Sequence, residues 1–336
     1  MSDTDLHETM LSAVDRELRE SVDILLNDKP HEFKESIYYQ LGWNEQGELV
    51  AASGKRLRPV MLLATIHALG MDWQKGLPAA AAVELVHNFS LVHDDIQDRS
   101  TTRRGRPTIW VKWGEAQAIN VGDALLACAF LATQRLKLQD KRILQALHML
   151  HRATLNLTGG QYLDLSFEKA ENIPLDAYWD MVRGKTGALF GVCFALGALI
   201  SGKNSEEIDK YDAFGNQMGI AFQVQDDYLG VFGDQISTGK STSSDLMERK
   251  KSYPILYGLE HLQDFHRLWV EKDQFSENDI AKLKVMLEKS TVHDITRKET
   301  RELYIKVKAD FTHLFPQGEE SSVLEELIEG LFDRTE

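Results

Sequence analysis

The chain has 336 residues, and 43% of them are hydrophobic, which is enough for one large core or two ordinary ones. Acidic residues outnumber basic ones by 52 to 38, so the formal net charge is -14. Nucleic-acid-binding proteins typically carry the opposite sign, and this balance argues against a nucleic-acid partner. An anion site on such a chain must be local or bridged by metal ions.

The cysteine content and the apolar runs bear on the compartment. Cys128 and Cys193 both lie in apolar segments and are predicted to be buried free thiols, as is typical of a reducing compartment. The acidic N-terminal stretch lacks the apolar region of a secretory signal. The longest apolar run, GALFGVCFALGALI, is shorter than the roughly 18 residues that a membrane span needs. We therefore expect a cytoplasmic protein without a membrane span.

The hydrophobic pattern is helical along nearly the whole chain. One face of a first helix is marked by Leu11, Val14, Leu18, Val22 and Leu25, and Lys29-Pro30 marks its end. Alternating β-branched runs are almost absent, which argues against a sheet. Four prolines stand at expected helix starts, namely Pro59, Pro78, Pro174 and Pro254. Without repeats or linkers, the pattern predicts one all-α domain spanning residues 1–336.

Two predicted helices, residues 78–93 and 186–200, are apolar on almost every side. Such a helix is buried or lines an apolar cavity. The first one runs into a charged segment, FSLVHDDIQDRSTTRRGRP, at residues 89–107. The pattern therefore predicts an apolar pocket with an ionic mouth.

The first acidic cluster lies at the end of the helix over residues 78–93. Asp94 and Asp98 are four residues apart, and Asp95 and Asp98 are three apart, so they share a helix face and repel one another. A divalent cation would remove this repulsion, and a set of oxygen ligands points to Mg²⁺. The alternative interpretation of this cluster alone is a solvated acidic helix end.

A second acidic cluster occurs in AFQVQDDYLGVFGD and contains Asp226, Asp227 and Asp234. It ends another apolar helix, which is predicted to start near Tyr211, and Gln223 lies one turn before the pair. We expect the two clusters to face each other across the pocket mouth and to hold several Mg²⁺ ions with a diphosphate between them.

Basic residues are concentrated in four segments that are well suited to phosphate. They are Lys55, Arg56 and Arg58; Arg103, Arg104 and Arg106; Lys185 beside Thr186; and Lys240, Lys250 and Lys251. Any one of them alone is most simply a solvated surface charge, whereas the joint pattern beside the acidic clusters indicates anion binding. His87 lies two turns before Asp94 on the same side, although a core histidine is the alternative.

Five motifs occur together in this chain: GKRLRP, LVHDDIQDRSTTRRGRP, GKTGALF, FQVQDDYLGVFGD and the lysine loop. With them the sequence resembles the trans-isoprenyl diphosphate synthases, which include farnesyl and geranylgeranyl diphosphate synthases, over roughly residues 20–330. The resemblance implies the all-α isoprenoid synthase fold around a central apolar cavity, usually as a homodimer. It also implies Mg²⁺-dependent transfer of an allylic diphosphate onto isopentenyl diphosphate.

The resemblance further implies a role for each matching residue. The magnesium ligands, for three ions per active site, would be Asp94, Asp95, Asp98, Asp226 and Asp227. The allylic diphosphate would be held by Arg103, Lys185, Lys240 and Lys250. The metal-free site for isopentenyl diphosphate would consist of Lys55, Arg58, His87 and Arg104. The reacting carbons would be flanked by the carbonyl of Lys185, the hydroxyl of Thr186 and the amide oxygen of Gln223.

Two positions depart from the family pattern. Gly230 stands where the second motif usually has its third aspartate, and we expect Asp234 to take over part of that role. The loop that follows is one residue longer than usual, which leaves the register of Lys240 open.

The chain length of the product is predicted from Phe89 and Ser90. Phe89 precedes Asp94 by five residues, about 7–8 Å along the helix, where the resemblance implies that an aromatic ring is the floor under the growing chain. With the small Ser90 beside it, we favour geranylgeranyl over farnesyl diphosphate. Plain core packing is the alternative role of Phe89.

Three other classes of protein compete with this reading. A class I terpene cyclase has no reason to keep a second anion site. A metal-dependent phosphohydrolase of the HD kind, suggested by His93-Asp94, needs further histidine ligands. A non-catalytic subunit of a heteromeric synthase has only Gly230 in its favour, since the first aspartate cluster is intact.

Overall fold

The computed structural model describes residues 3–44, 48–50, 54–170, 173–233, 243–272, 274–316 and 318–332. Helices dominate these ranges, as predicted. In chain order they are α1 (Asp3–Leu25), α2 (His31–Leu41), α3 (Leu57–Ala68), a 3₁₀ turn (Trp73–Gly76), α4 (Leu77–Gln97), α5 (Ile109–Trp113), α6 (Glu115–Thr133), α7 (Asp140–Lys169), α8 (Leu175–Val182), a π-helical segment (Arg183–Gly187), α9 (Ala188–Ile200), α10 (Ser205–Phe232), α11 (Ser244–Met247), α12 (Tyr253–His261), α13 (Gln263–Val270), α14 (Glu277–Glu288), α15 (Thr291–Leu314) and α16 (Glu319–Phe332).

Strand structure in the described ranges is limited to one small hairpin and an isolated bridge. Strand β1 (Thr102–Arg103) pairs antiparallel with β2 (Arg106–Pro107). Both turn residues, Arg104 and Gly105, have positive φ angles of 52° and 74°. This is the backbone of a tight two-residue hairpin turn. The prediction of an all-α fold is confirmed.

The chain forms two compact units. The first comprises Met1–Thr154, Val192–Asp212 and Phe315–Leu324, and the second comprises Leu155–Gly191, Ala213–Leu314 and Glu325–Glu336. The single domain expected from the sequence stays a prediction.

Helix α4 is the central helix of the first unit. It packs against α6, α1 and α3, and its residues Ala79–Val83 are fully buried. The ring of His93 packs directly against Gly122 of α6. A Cβ on Gly122 would stand only 2.2 Å from the His93 Nε2, so a larger residue would not fit there. The prediction that this helix is buried is confirmed.

The second unit is organised around two hydrophobic clusters. One brings Tyr178 and Val182 of α8 together with Val224 of α10 and Tyr253 of α12. The other includes Leu246, Ile255, Phe265, Trp269 and Leu283. Together they fix the ends of α8, α10 and α12, where the second set of predicted site residues lies.

The bounds of two predicted helices can be compared with the structure. Val14, Leu18 and Val22 are buried on the predicted face of α1, whereas Leu11 and Leu25 are half-buried, and the helix ends at Leu25, before the predicted end at Lys29-Pro30. Helix α10 begins at Ser205, six residues before the predicted start at Tyr211. The reason is a reciprocal cap, in which the Glu207 amide donates to the Asn204 side chain and the Asn204 amide donates to the Glu207 carboxylate.

Both cysteines are free and buried, as predicted. Burial raises the pKa of Cys128 to about 11 and that of Cys193 to about 12. The thiols are therefore protonated and unreactive at neutral pH.

Two helical segments, Glu115–Thr133 and Leu175–Ile200, are long and apolar enough to cross a membrane by length and composition alone. Their most apolar stretches are 44% and 83% buried inside the protein. Core helices pass the same test, so these segments are weak support for membrane insertion. The second exceeds the apolar run counted in the sequence because it continues through the polar π-helical segment.

Candidate active site

The first acidic cluster occupies the last turn of α4 in the first unit. Asp98 follows the last helical residue, and its amide donates to the carbonyl oxygen of Asp94 at 2.8 Å. The two residues therefore share a face one turn apart, with Asp94 half-buried and Asp98 exposed.

Asp95, between them, has a different environment. Its side chain is 2% exposed and accepts hydrogen bonds from Arg103 Nε at 2.8 Å and Nη2 at 2.7 Å. Burial raises its pKa, and the Arg103 guanidinium lowers it. This geometry favours an anchoring role, in which Asp95 fixes the hairpin residue Arg103; its predicted role as a metal ligand stays a prediction.

The predicted residues for isopentenyl diphosphate surround the loop before α3 and the middle of α4. The guanidinium of Arg104 lies on the α-carbon of Gly54, where a Cβ would stand 2.5 Å from the Arg104 Cζ. Gly54 can accept this contact because it has no side chain, and its φ of +84° suits glycine. The contact brings the hairpin arginine to the loop that carries the exposed Lys55.

His87 lies in a positive environment. Burial and the guanidinium groups of Arg58 and Arg104 hold its pKa well below the usual range. His87 is therefore neutral at neutral pH and can donate or accept a hydrogen bond. Because the charges of Arg58 and Arg104 both act on His87, these three of the four residues predicted for this site lie close to one another.

Phe89 and Ser90 are both buried in α4. The Phe89 ring packs edge-on against His93 with 4.9 Å between ring centroids, and the Ser90 hydroxyl donates to the His87 carbonyl at 2.8 Å. His93, a residue of α4, packs against α6, with its Nε2 3.4 Å from the Ile119 carbonyl oxygen. This packing gives Phe89 a rigid support and leaves its role as a chain-length floor a prediction.

The second set of residues lies in the second unit, where the motif GKTGALF begins in the π-helical segment. Two glycines allow α7 to cross this segment at backbone contact. A Cβ on Gly160 would lie 2.1 Å from the amide nitrogen of Lys185, and one on Gly184 would lie 2.7 Å from the carbonyl oxygen of Asn156. Single-turn π-helices are frequent at functional sites because they change the direction of side chains and carbonyls. Lys185 pairs here with the carboxylate of Asp164 on α7.

Thr186 and Gln223 are joined in one chain of hydrogen bonds. The Thr186 hydroxyl donates to Gln223 Oε1 at 2.8 Å, and Gln223 Nε2 donates to Asp227 Oδ1 at 2.8 Å. These two bonds fix the orientation of the Gln223 amide. The family resemblance implied a place beside the reacting carbons for both residues, and the structure brings the two side chains together; their role at the reacting carbons stays a prediction.

Asp227 is the last acceptor in this series of hydrogen bonds, and other parts of the protein hold its carboxylate in place. Its side chain is 1% exposed, and its Oδ2 accepts from the Tyr178 hydroxyl at 2.8 Å and from the Tyr253 amide at 3.0 Å. Lys250 Nζ lies 3.5 Å from Oδ1. With both oxygens engaged, the geometry favours a positioning role, and the predicted metal ligation by Asp227 stays a prediction. Asp226, next to it, is half-buried.

Lys250 lies among three carboxylates. Burial lowers its pKa, but the charges of Asp227, Asp245 and Asp226 outweigh burial and raise it overall. Lys250 is therefore a permanent cation beside the second acidic cluster. The positive charge of Lys250 agrees with its predicted role in anion binding, although its ionic partner in the structure is Asp227.

The space beside Gly230 is filled by Asp245. A Cβ on Gly230 would stand 2.6 Å from both Cγ and Oδ1 of Asp245. The carboxyl group of Asp245 is buried, and burial raises its pKa to about 6. A carboxylate thus stands next to the position where the family pattern has its third aspartate. Asp234, which we expected in this role, and Lys240 lie outside the described residues.

Several partners were not found from the sequence. Asp164 and Tyr178 are separated from their partners by 21 and 49 residues, and no local spacing signals such pairs. Arg56 was grouped with Lys55 and Arg58, but its side chain is buried and pairs with Glu84.

The donor set is suited to Mg²⁺. Among the described residues, no three His, Cys, Asp or Glu side chains converge into a ready-made metal site. What the clusters offer is one or two carboxylates each, with Asp94 and Asp98 on one helix face. Mg²⁺ commonly takes this number from a protein and completes its shell with phosphate oxygens and water.

Comparison with known proteins defines the family. A family model described as polyprenyl synthetase matches residues 45–288. A (2E,6E)-farnesyl diphosphate synthase from Mycobacterium tuberculosis H37Rv is 40% identical over 234 residues, covering 69% of this chain and 64% of the relative. A geranylgeranyl diphosphate synthase from the same strain is 41% identical over 223 residues, covering 66% and 63%. The crystal structure of a polyprenyl synthetase from Streptomyces coelicolor A3(2) superimposes with a TM-score of 0.87 and 31% identity, covering 98% of this chain and 99% of that one.

The chain belongs to the polyprenyl synthetase family. The family inferred from the five motifs is confirmed, and so is its all-α fold. The chain spans slightly less than two thirds of the length of the two curated relatives described above.

Proposed function

We propose that this protein is a trans-prenyltransferase that condenses isopentenyl diphosphate with an allylic diphosphate to give a short-chain product. Both curated relatives named above carry this type of activity in their names. The observation that carries the proposal is the group formed by Arg104, Gly54 and His87, in which a cluster of cations surrounds a neutral histidine at the GKRLRP loop. Such a group suits a diphosphate that arrives without metal.

In the first unit, Lys55, Arg58 and Arg104 bind the diphosphate of isopentenyl diphosphate by charge, and His87 adds a hydrogen bond. Because a bound anion favours the protonated imidazole, His87 gains a proton as the substrate binds. Arg103, fixed by Asp95, contributes a guanidinium to the allylic diphosphate.

In the second unit, the residues stabilise positive charge on the allylic substrate. The Gln223 amide is oriented by its bonds to Thr186 and Asp227, so its oxygen and that of Thr186 are fixed as negative ends of dipoles. Fixed dipoles need no reorganisation when a carbocation develops, and they are most effective where water is excluded. The π-helical turn contributes the carbonyl of Lys185 to the same task.

Asp94 and Asp98 in the first unit, and Asp226 in the second, are each proposed as magnesium ligands, and the proposed number of ions is three per active site. When bound, Mg²⁺ supplies Lewis-acid neutralisation of the diphosphate leaving group. Lys185 and Lys250 add charges to that diphosphate from the protein, and Lys240 is proposed from the motif alone.

We propose a homodimer in the cytoplasm. Helix α7 exposes Leu144, Leu155 and Tyr162 by 67%, 71% and 72%. Their spacings of 11 and 7 residues place them on one helix face. An exposed apolar stripe of this kind is typical of a surface that another copy of the chain covers.

We propose geranylgeranyl diphosphate as the main product, with Phe89 as the floor beneath the chain. The support is the rigid packing of Phe89 on His93. The two curated relatives include one synthase of each product, so product length rests on this ring.

The test is an assay of the full chain with Mg²⁺, isopentenyl diphosphate and each allylic primer in turn, with the products sized by chromatography. The proposal expects elongated diphosphates, and chelation of the metal abolishes them. Hydrocarbon formed from farnesyl diphosphate alone would identify a cyclase instead. Failure to elongate any primer would contradict the proposal and favour a non-catalytic subunit.

A further inference from the structure

Arg56 lies at the centre of a buried network within the first unit. Its side chain is 1% exposed, although it stands in the GKRLRP loop between two residues proposed to bind substrate. Its Nε donates to Asp15 at 3.0 Å, its Nη1 donates to Glu84 at 2.8 Å, and its Nη2 donates to the carbonyl of Leu41. One side chain thus joins α1, the end of α2, the loop and α4.

The network continues along α4. The side-chain Nδ2 of Asn88 donates to Glu84 Oε1 at 2.9 Å, and the side-chain Nε2 of Gln40 donates to Asn88 Oδ1 at 3.3 Å. Glu84 precedes His87 by three residues, so the two lie on neighbouring positions of one helix surface. The same hydrogen bonds therefore fix the loop and the segment of α4 that carries His87.

The backbone of Arg56 is left-handed, with a φ of 46°. This conformation is unfavourable for a residue with a side chain and persists where surrounding contacts impose it. Here the three acceptors of the guanidinium impose it. Because Lys55 precedes Arg56 and Arg58 follows two residues later, the direction of both side chains depends on this turn.

The network also carries an unequal number of charges. One arginine faces two carboxylates, Asp15 and Glu84. The charge of Glu84 acts on Arg58 and on Arg104, where it counteracts the lowering of the pKa by burial. The excess carboxylate therefore offsets part of the repulsion among the cations while the anion site is empty.

We infer that Arg56, Glu84 and Asp15 form a positioning device for the isopentenyl diphosphate site, in which Arg56 holds the loop of Lys55 and Arg58 against α4 at the level of His87. None of the three touches the substrate in this scheme. Global stability is a weak reason for such a network, since buried ion pairs are often replaced by apolar residues without loss of stability. Placement of the flanking cations accounts for its position.

The inference rests on the proposed function, and substitutions at Arg56 test it. Arg56→Lys keeps the charge but cannot reach three acceptors in fork geometry. Arg56→Met combined with Glu84→Met and Asp15→Asn removes both ion pairs and leaves neither carboxylate unpaired, so that this variant stays folded. Arg135→Lys is the matched control, because Arg135 also joins several partners, Glu17 and Glu20 among them, and stands outside the loop.

Two readouts separate positioning from stability. Calorimetry without metal measures the binding of isopentenyl diphosphate itself, and steady-state kinetics gives a KM for each substrate. We expect both Arg56 variants to bind isopentenyl diphosphate about tenfold more weakly and to raise its KM similarly, with the KM of the allylic substrate changed by less than about threefold. Arg135→Lys should leave both substrates unaffected, and circular dichroism should show the wild-type helix content throughout.

The outcomes distinguish the inference from the proposed function. Unchanged binding in both Arg56 variants, or equal rises in both KM values, would overturn the inference while leaving the activity in place. A wild-type chain that neither binds isopentenyl diphosphate nor elongates a primer would overturn the proposed function instead. If Arg135→Lys weakens binding as much as Arg56→Lys, the effect belongs to the unit as a whole, and the inference is again overturned.

Discussion

Replacing Gly160 with alanine should displace the π-helical segment that carries Lys185 and Thr186. The new Cβ would stand 2.1 Å from the Lys185 amide nitrogen and 2.6 Å from the Gly184 carbonyl carbon. Ordinary contacts between such atoms are about 3.5 Å, so α7 and the segment must separate by roughly 1 Å. The neighbours are backbone atoms on both sides, and no side chain can move away to make room.

The magnitude follows from two opposing effects. Overpacking of this kind costs about 1–3 kcal/mol, whereas glycine to alanine within a helix gains up to about 1 kcal/mol. We therefore expect a net loss of about 1–2 kcal/mol in the free energy of unfolding. Because a displacement of about 1 Å at reacting groups can reduce turnover about 100-fold, kcat should fall more than stability suggests.

One control variant isolates the contact. Gly330→Ala adds the same methyl group to a helix position where no atom of the described residues lies within 4 Å. It should leave kcat unchanged and leave the urea midpoint unchanged or slightly higher. Urea unfolding followed by circular dichroism, together with kcat at saturating substrates, provides the comparison. Equal midpoints and equal kcat values for the Gly160 and Gly330 variants would refute the reasoning.

Three further predictions concern other parts of the site. Phe89→Ala should lengthen the product by at least one isoprene unit because it removes the aromatic floor, and an unchanged product distribution on chromatography would reject this role. Gly230→Ala should lower the urea midpoint because its Cβ meets the Asp245 carboxyl; Asp245→Ala should relieve part of the loss, and strictly additive effects in the double-mutant cycle would contradict the contact. The pKa of His87 is depressed in the free protein and should rise when a diphosphate binds, so affinity should increase as the pH falls through the pKa of His87 in the bound state. Calorimetry in two buffers of different ionisation enthalpy measures this proton uptake, which His87→Gln should abolish.

The helices were predictable from the sequence because they depend on local periodicity, whereas the candidate site residues came from the five motifs and the family that they resemble. Helix α4 is apolar on every side, and its burial follows directly. The position of Asp94 and Asp98 in its last turn follows from their spacing. The predicted start of α10 was wrong because the Asn204–Glu207 cap lies in a polar segment, before the first residues of the apolar repeat.

The arrangement within the site depends on contacts between distant residues and was not predictable. The π-helical turn at Arg183–Gly187 lies where Gly160 and Gly184 bring two backbones into contact, and the sequence GKTG contains no local signal for such a turn. The pairing of Lys185 with Asp164 and of Asp227 with Tyr178 likewise joins separate helices. Thr186 and Gln223 were both expected in the site through the family motifs, but the hydrogen bond between them was not.

The two acidic clusters share a division of roles that follows from helix geometry. Consecutive residues on a helix point about 100° apart, so a pair of adjacent aspartates cannot face the same ligand equally. In each pair the second aspartate is buried and bonded to the protein: Asp95 binds Arg103, and Asp227 binds Tyr178 and Gln223. The first residue of each pair, Asp94 or Asp226, is half-buried. Asp94 lies in the last turn of α4, whereas Asp226 precedes the end of α10 by six residues.

This division explains why a glycine is tolerated at position 230. If Asp226 alone is the metal ligand of the second cluster, a carboxylate one turn later is dispensable, provided that the local charge is retained. Asp245 retains it, with its carboxyl group against the Gly230 α-carbon and beside Lys250. An aspartate at position 230 would need the space that Asp245 fills, so the glycine leaves room for the Asp245 carboxyl group.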